Sequence, residues 1–294
     1  MADPDLRELE RRWAEGAGEL AVGEALARAL ERAGAPGGRL LEVRLQALRR
    51  HLQTIGLDPT TLAPLPEVDP LAAVLSVPGV EALSAWHRLR RLTQATGAFP
   101  VLLGQHHERV LERLHESAHD LSVEETLAGA ERLGDPFDVV SWAVRERQVS
   151  LPDDEDWPAN EVPASHDFVV PLDPEGWSPQ ASMHVALLPT RSPWEAAAHL
   201  RFGVTPWEGP PPAVHVALHR HWYQAFGAEV VALTHAEAEL IVPRGPSTRA
   251  AAQVLAREHE SYCPGVAGTT SEALGVHAAS LLGATNWYFS WGPE

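Results

Sequence analysis

One short stretch of the 294-residue chain has the spacing of a catalytic zinc site. His115, Glu116 and His119 fit the pattern H-E-x-x-H. On a helix, this pattern places two imidazoles one turn apart, where they can hold Zn²⁺ while the Glu polarises a metal-bound water. Arg113, however, puts a charge where metalloproteases usually have none, and a capping box that begins at Ser122 predicts that the helix ends near His119. We therefore interpret the stretch as a solvated helix face without a cofactor; a zinc-dependent hydrolase is the alternative.

A second pair of histidines, His215 and His219, is also spaced by one helical turn. Metal ligation by this pair is geometrically allowed. The same segment carries apolar residues at Val214, Leu218 and Trp222, which predict a helix packed on one side with the histidines at its margin. We favour that interpretation, because no further ligand or supporting partner is evident.

The single cysteine, Cys263, is the third candidate for chemistry. A nucleophilic cysteine needs a histidine base and a lowered pKa, and His259 precedes it by one turn. A lone cysteine is more often a small buried residue, and we favour this interpretation over a thiol enzyme. The chain contains neither G-x-S-x-G nor G-x-G-x-x-G, the sequence patterns typical of serine hydrolases and of dinucleotide binding.

Composition excludes several classes of function. The formal charge of −17 argues against binding to nucleic acid or to an anionic membrane, because phosphate binding needs clustered basic residues. All 23 basic residues are arginine, so Schiff-base enzymes, P-loop NTPases and protein kinases are excluded, since each needs a lysine. One cysteine allows no internal disulfide.

The start of the chain is acidic, unlike a signal peptide, and no apolar run approaches roughly 20 residues, so we expect a cytoplasmic protein that does not enter the membrane.

The helices and strands that the sequence predicts around these candidates indicate an α/β (α+β) fold, with a mixed or mainly antiparallel sheet flanked by helices. The clearest tertiary signal is an antiparallel hairpin formed by residues 229–233 and 239–242. Other strands are predicted at 99–104, 183–188 and 286–291. Helices are predicted in three stretches of residues 5–55, after a turn at 77–79, in three stretches between 105 and 150, from Pro212 to about Phe226, near 248–260, and from the capping box Thr269-x-x-Glu272 to Gly283.

Proline and charge predict the domain boundaries. Residues 1–56 are interpreted as an N-terminal helical extension, and residues 57–70, with four prolines, as a linker. The α/β domain then spans 71–294 and contains an acidic, proline-rich connection at 151–182. The sequence therefore predicts that the helical extension can be removed without unfolding the rest.

The C-terminal part resembles the bacterial domain-of-unknown-function family 4253. The resemblance covers about residues 75–294 and is clearest in 183–294. It rests on Val77–Ala82, Trp86, Pro100–Gly104, Trp194–Ala197, Leu200, Phe202–Gly203, the prolines before His215, Trp222, Gly227–Val231, Tyr262–Pro264 and Trp287–Trp291. Residues 204–210 replace the family's Trp-Asn-x-Cys-Pro type of segment, and Gly265 stands where an acid often follows Cys-Pro. The resemblance implies an α/β domain of bacterial origin and supplies no activity.

Ten tryptophans, five of them from residue 194 onward, predict either core packing or an aromatic-lined groove. We expect Glu195, His215 and Cys263 to meet the neighbouring tryptophans around one concavity or buried cluster. The predicted binding residues are Trp194, Glu195, Phe202, His215, Trp222, Cys263, Trp287 and Trp291. The favoured function is non-catalytic recognition of a protein partner, immunity-like by analogy with small acidic bacterial proteins that neutralise basic toxins. A small-molecule binder with a Trp-lined pocket is a further alternative.

Overall fold

The computed structural model describes residues 4–14, 25–26, 29–30, 32–33, 37–66, 68–69, 71–104, 107–117, 122–137, 139–140, 157–165, 167–171, 180–203, 209–267 and 270–291. The chain forms two compact units. Unit 1 comprises Met1–Gln105 and Pro171–Ser192, and unit 2 comprises His106–Val170 and Pro193–Glu294.

Unit 1 contains helices and an antiparallel sheet. Its elements are α1 (Pro4–Ala14), α2 (Gly37–Thr54), β1 (Ala63–Pro64), β2 (Ala73–Pro78), α3 (Ala82–Thr96), β3 (Phe99–Leu102) and β4 (Ser182–Leu188). The strands lie in the order β1-β2-β4-β3. Strand β4 is central, since β2 pairs with it from Ala73 opposite Leu187 to Pro78 opposite Ser182, and β3 pairs with it on the other side.

The core of unit 1 forms where α3 packs on the sheet. Trp86 of α3 is buried, and its indole N–H donates a hydrogen bond to the backbone carbonyl of Pro100 in β3 (2.9 Å). Gly97 ends α3 with a φ of +67°, a conformation that glycine adopts without steric cost. Arg44 of α2 donates to the carbonyl of Gly97 (3.1 Å), so α2 is tied to the end of α3.

The predicted linker at 57–70 is packed rather than open in the described part of the segment. Leu57, Leu62, Leu65 and Val68 are buried, and β1 pairs with β2. The prolines interrupt the helical pattern, as predicted, but the apolar residues of the same segment are buried in the fold. Residues 1–56 also fall within unit 1, so the compact units do not follow the predicted boundaries. Whether the extension can be removed stays a prediction, addressed in the Discussion.

Unit 2 contains most of the candidate site residues. Its elements are α4 (His107–Glu116), α5 (Val123–Arg132), α6 (Ala196–His199), α7 (Pro212–Phe226), β5 (Glu229–Leu233), β6 (Glu237–Ile241), α8 (Arg249–Tyr262), α9 (Ser271–Leu281) and β7 (Asn286–Ser290). Strands β5, β6 and β7 are neighbours in this order and pair antiparallel. The capping box of Ser122 and Glu125 at the start of α5 has both of its reciprocal hydrogen bonds.

Strands β6 and β7 have two chemically different faces. The register places Leu240 opposite Trp287 on one face of the two strands. The ring of Trp287 packs against Trp222 of helix α7. The same register places Glu239 opposite Tyr288 on the other face, because successive residues of a strand point to opposite sides. One face of this ribbon is therefore aromatic and the other is polar.

The predicted fold class is confirmed: strands and helices form an α/β fold whose strands pair mainly antiparallel. The turn predicted at 77–79 overlaps the end of β2, a strand that the sequence analysis did not identify, and the 3-10 turn begins only at Gly79. Helix α9 is capped by Thr270 rather than Thr269, since the Thr270 hydroxyl accepts from the N–H of Ala273. Most of the second predicted helix and parts of the 151–182 connection lie outside the described residues. None of the described helices is long and apolar enough to cross a lipid bilayer.

Candidate functional site

The two histidines of α7 lie in the core of unit 2. His215 and His219 are 0% and 1% exposed, so the prediction that they lie at the margin of the helix is wrong. Helix α7 buries residues around most of its circumference, including Val214, Leu218 and Trp222. The sequence pattern showed one apolar stripe on this helix, but the side that carries the histidines is buried as well.

Both histidines share one tyrosine hydroxyl. The Oη of Tyr262 lies 2.7 Å from Nδ1 of His215 and 3.0 Å from Nε2 of His219. A hydroxyl has one hydrogen to donate, so at least one of the two ring nitrogens donates to Tyr262. Burial lowers the pKa of His219 to about 3 and raises the pKa of Tyr262 well above its ordinary value. At neutral pH, His219 and Tyr262 are therefore uncharged.

Aromatic rings surround this hydrogen-bonded trio. We call the set of His215, His219, Trp222, His259, Tyr262, Trp287, Phe289 and Trp291 the aromatic cluster. Trp222 lies in it and stacks on Phe289 at 5.6 Å, with Tyr262 edge-on at 5.1 Å. The indole N–H of Trp222 donates to Glu258 (2.8 Å). The ring contacts are those of a packed core. Within the described residues, however, the indole N–H groups of Trp287 and Trp291 and one ring nitrogen each of His219 and His259 are buried without a hydrogen-bond partner.

Cys263 lies beside the aromatic cluster, immediately after α8. It is buried, and its thiol donates to the backbone carbonyl of Ser290 in β7 (3.2 Å). This geometry supports the interpretation of Cys263 as a small buried residue that joins α8 to β7. In this contact the thiol acts as a hydrogen-bond donor, whereas nucleophilic chemistry needs the thiolate.

The remaining predicted binding residues divide into two groups. Phe202 packs on His215 (4.7 Å between ring centroids) and on Trp291 (5.6 Å), so it extends the aromatic cluster. Trp194 packs instead on Tyr223 of α7 (4.8 Å). Glu195 ends the 3-10 turn that carries Trp194, and this turn packs on α7. The structure thus gathers Phe202, His215, Trp222, Cys263, Trp287 and Trp291. It places Trp194 against Tyr223, and Glu195 at the end of the same turn. A binding role for the set stays a prediction.

The H-E-x-x-H stretch lies at the end of α4. His115 and Glu116 are exposed, and His119 lies outside the described residues. Within the part of the chain that the structure describes, no group of three or more His, Cys, Asp or Glu side chains is arranged to hold a metal ion. The exposed positions fit a solvated helix face, and the absence of a cofactor stays a prediction.

Sequence reasoning missed Arg113, which is buried although the preceding residue of α4, Glu112, is exposed. One guanidinium nitrogen donates to the carbonyl of Thr234 and the other to the carbonyl of Leu200, each at 3.2 Å. The guanidinium carbon also lies 5.6 Å from the centre of the Phe202 ring. Arg113 therefore anchors α4 to two loops, which its position on a charged helix did not reveal.

Sequence reasoning also missed Glu239, a fully buried carboxylate on the polar face of β6. It accepts hydrogen bonds from the backbone N–H of Val169 (2.7 Å) and Val170 (3.1 Å). Burial raises the pKa of Glu239 to about 7, against the lowering effect of these hydrogen bonds and of one from Asn286. The alternation of Glu237, Glu239 and Ile241 marks one strand face, but the partners of Glu239 lie 69 and 70 residues away in sequence.

Tyr262→Phe tests the hydroxyl that joins the two histidines. We expect the free energy of unfolding to fall by about 2 kcal/mol, because a buried nitrogen on each histidine loses its partner. Urea unfolding followed by circular dichroism measures the change. Tyr223→Phe removes the same hydroxyl from a half-buried ring on α7 and should cost under about 0.5 kcal/mol. Equal costs for the two variants would show that the hydroxyl of Tyr262 carries no special stability.

No curated protein and no solved structure shows significant similarity to the chain. The family comparison is positive, and it covers the segment from the middle of β4 to just beyond β7. The resemblance that the sequence suggested upstream, from about residue 75, lies outside that match and stays a prediction. Residues 184–292 match the family described as "Domain of unknown function (DUF4253)", which confirms the predicted resemblance over that part of the chain.

Proposed function

We propose that unit 2 recognises a basic partner protein through an acidic surface and performs no catalysis. The observation that carries the proposal is the distribution of charge between the units. Of the 40 acidic residues, 25 belong to unit 2, against 10 of the 23 arginines, so its formal charge is 10 minus 25, or −15. Almost all of the net charge of −17 is therefore located in unit 2. A field of one sign speeds the association of a partner of opposite sign.

Helix α4 presents part of this charge in a regular array. Glu108, Glu112 and Glu116 are exposed and follow one another at intervals of four residues, so they form a stripe along one face. Helix α5 adds exposed carboxylates at Glu124 and Glu131. The carboxylates of such a stripe can form ion pairs with the guanidinium or ammonium groups of a basic protein segment.

Three arginines of unit 2 direct their guanidinium groups to backbone carbonyls. Arg113 is buried and bonds two backbone carbonyls. Arg201 donates to the carbonyl of Leu114 (2.6 Å), and Arg220 donates to the carbonyl of Ala130 (3.3 Å). Three of the positive groups thus stabilise loop and helix ends of unit 2.

The groups that were candidates for catalysis support a structural role. The thiol of Cys263 is engaged with a carbonyl, and His219 stays neutral because burial lowers its pKa to about 3. A base that is protonated only near pH 3 is poorly matched to proton transfer at neutral pH. The proposed partner is therefore recognised rather than chemically changed. A cytoplasmic location and the immunity-like analogy belong to the same proposal.

Affinity capture with matched variants tests the proposal. The α4 variant replaces Glu108, Glu112 and Glu116 with glutamine. Its control replaces the exposed Glu8, Glu42 and Glu81 of unit 1, with the same change in net charge. We expect a partner of high isoelectric point to be retained by the wild type and by the control, and to be bound about 10-fold more weakly by the α4 variant, since exposed ion pairs contribute 0.2–1 kcal/mol each.

Titration calorimetry with the purified partner gives the affinities at several salt concentrations. Binding that weakens with salt agrees with the proposal. An acidic partner, or equal loss of affinity in both variants, would contradict it.

A further inference from the structure

His221 directly precedes Trp222 on α7 and faces Glu258 of α8. Its Nε2 lies 3.5 Å from Oε1 of Glu258, and the side chains of the two residues are 42% and 18% exposed. The ring of Phe137 stands edge-on to the imidazole, with 5.2 Å between the ring centroids. Water therefore reaches His221 on one side, while a carboxylate and an aromatic ring contact it on the other.

Glu258 joins this partly exposed histidine to the buried core. Its Oε2 accepts a hydrogen bond from the indole N–H of Trp222 (2.8 Å), while its Oε1 faces His221. One carboxylate of α8 thus contacts two successive side chains of α7. A change in the charge of His221 therefore acts on the same carboxylate that satisfies the buried indole of Trp222.

The charges that act on the imidazole have one sign. Glu258 acts from α8 and Asp135 acts from the turn after α5, and both are carboxylates. The residues one turn before and after Glu258 on the surface of α8 are Val254 and Ser261, which carry no charge. The described surroundings of His221 therefore favour its protonated form.

Protonation of His221 and its contact with Glu258 are linked in one direction. A carboxylate attracts an imidazolium more strongly than a neutral imidazole, so the contact with Glu258 raises the pKa of His221, while burial opposes this effect. The stabilisation is fully present below the ordinary pKa of 6.5 and is lost as pH rises through the higher pKa of the folded chain. His219, His259 and His277 stay neutral in this range, because burial lowers the pKa of each.

We propose that His221 is a pH-sensitive clamp between α7 and α8: the imidazolium holds Glu258 against α7, and loss of its proton leaves only the weaker contact of a neutral ring. The indole of Trp222 keeps the other oxygen of Glu258 in both states, so the core stays packed while the surface contact weakens. Glu258 is thus held firmly at two points on the acid side of neutrality and at one on the alkaline side. The clamp does not depend on the proposed recognition of a partner.

Titration of the histidine ring protons by NMR in the full-length protein tests the charge of His221. We expect a midpoint above the ordinary 6.5 in the wild type, and a lower midpoint in Glu258→Gln. The glutamine removes the charge but keeps an oxygen that accepts from Trp222. Asp135→Asn is the matched control and should lower the midpoint less, because Asp135 makes no hydrogen bond to the imidazole. An unchanged midpoint in Glu258→Gln, or a larger fall in Asp135→Asn, would overturn the clamp.

A double-mutant cycle measures the contact itself. The cycle combines His221→Gln with Glu258→Gln, and urea unfolding gives the unfolding constants of the four proteins at pH 6 and pH 9. We expect a coupling of about 2- to 5-fold at pH 6, as for other partly exposed ion pairs, and none at pH 9. The indole N–H resonance of Trp222 should shift with the midpoint of His221 in the wild type and stay constant in His221→Gln. Equal coupling at the two pH values, no coupling at pH 6, or an indole resonance that does not follow His221 would each contradict the clamp.

Discussion

Trp222→Ala is expected to lower the free energy of unfolding of unit 2 by about 4 kcal/mol. The side chain is 0% exposed, and its removal leaves a large cavity among Phe289, Tyr262 and Trp287. It also removes the donor that the indole N–H provides to Glu258. Urea unfolding followed by far-ultraviolet circular dichroism is the appropriate measurement, since the substitution itself changes tryptophan fluorescence.

Trp157→Ala is the matched control for this substitution. Trp157 is half-buried, and its ring lies 4.6 Å from the guanidinium carbon of Arg249. A cation–π contact at a partly exposed site contributes about 0.5–1 kcal/mol, so the control should lose about that amount. Similar losses in both variants would show that Trp222 is not central to the packing of unit 2.

Deletion of residues 1–70 is expected to abolish the cooperative unfolding of unit 1. The deletion removes β1, which pairs with β2, and α2, whose Arg44 bonds the carbonyl of Gly97. It also removes the carbonyl of Ile55, to which Arg88 of α3 donates (2.9 Å). Peptide-level hydrogen exchange should show lost protection in β2 and β4, while β5 to β7 keep theirs.

Deletion of residues 1–14 alone gives the control for the longer deletion. Helix α1 contributes Leu9 to a small apolar cluster and an exposed ion pair from Glu10 to Arg39, so its loss should weaken unit 1 without abolishing its transition. Retained protection of β2 and β4 after removal of residues 1–70 would instead establish the helices as a separable extension, as the sequence predicts.

The elements that could be predicted from sequence are those with local signals. Helix α7 begins within a run of prolines and ends before Gly227, whose φ is +70°. The hairpin of β5 and β6 and the capping box at Ser122 also depend on residues close in sequence. Strand β2 was missed because its alternation of buried and half-buried residues is short: Val74 and Ser76 are half-buried between buried neighbours. The turn residues at its end give the stronger sequence signal.

The candidate site was predictable only in part, because its arrangement depends on distant partners. The sequence places His215 and His219 on one helix, but it does not show that Tyr262, 47 and 43 residues later, joins them. The partners of Glu239 are likewise distant, since Val170 lies 69 residues away, and Arg113 bonds a carbonyl 121 residues away. Polar residues are expected on surfaces unless a partner is known, so these positions looked like exposed ones.

The formal charge of −15 on unit 2 has a consequence for how copies of the chain meet one another. The carboxylates of the stripe on α4 face solvent, where an approaching copy meets them. Two copies that approach through unit 2 therefore repel each other at neutral pH, with a force that added salt screens. The repulsion falls as the chain gains protons toward its isoelectric point near 5.3, where self-association meets the least electrostatic opposition.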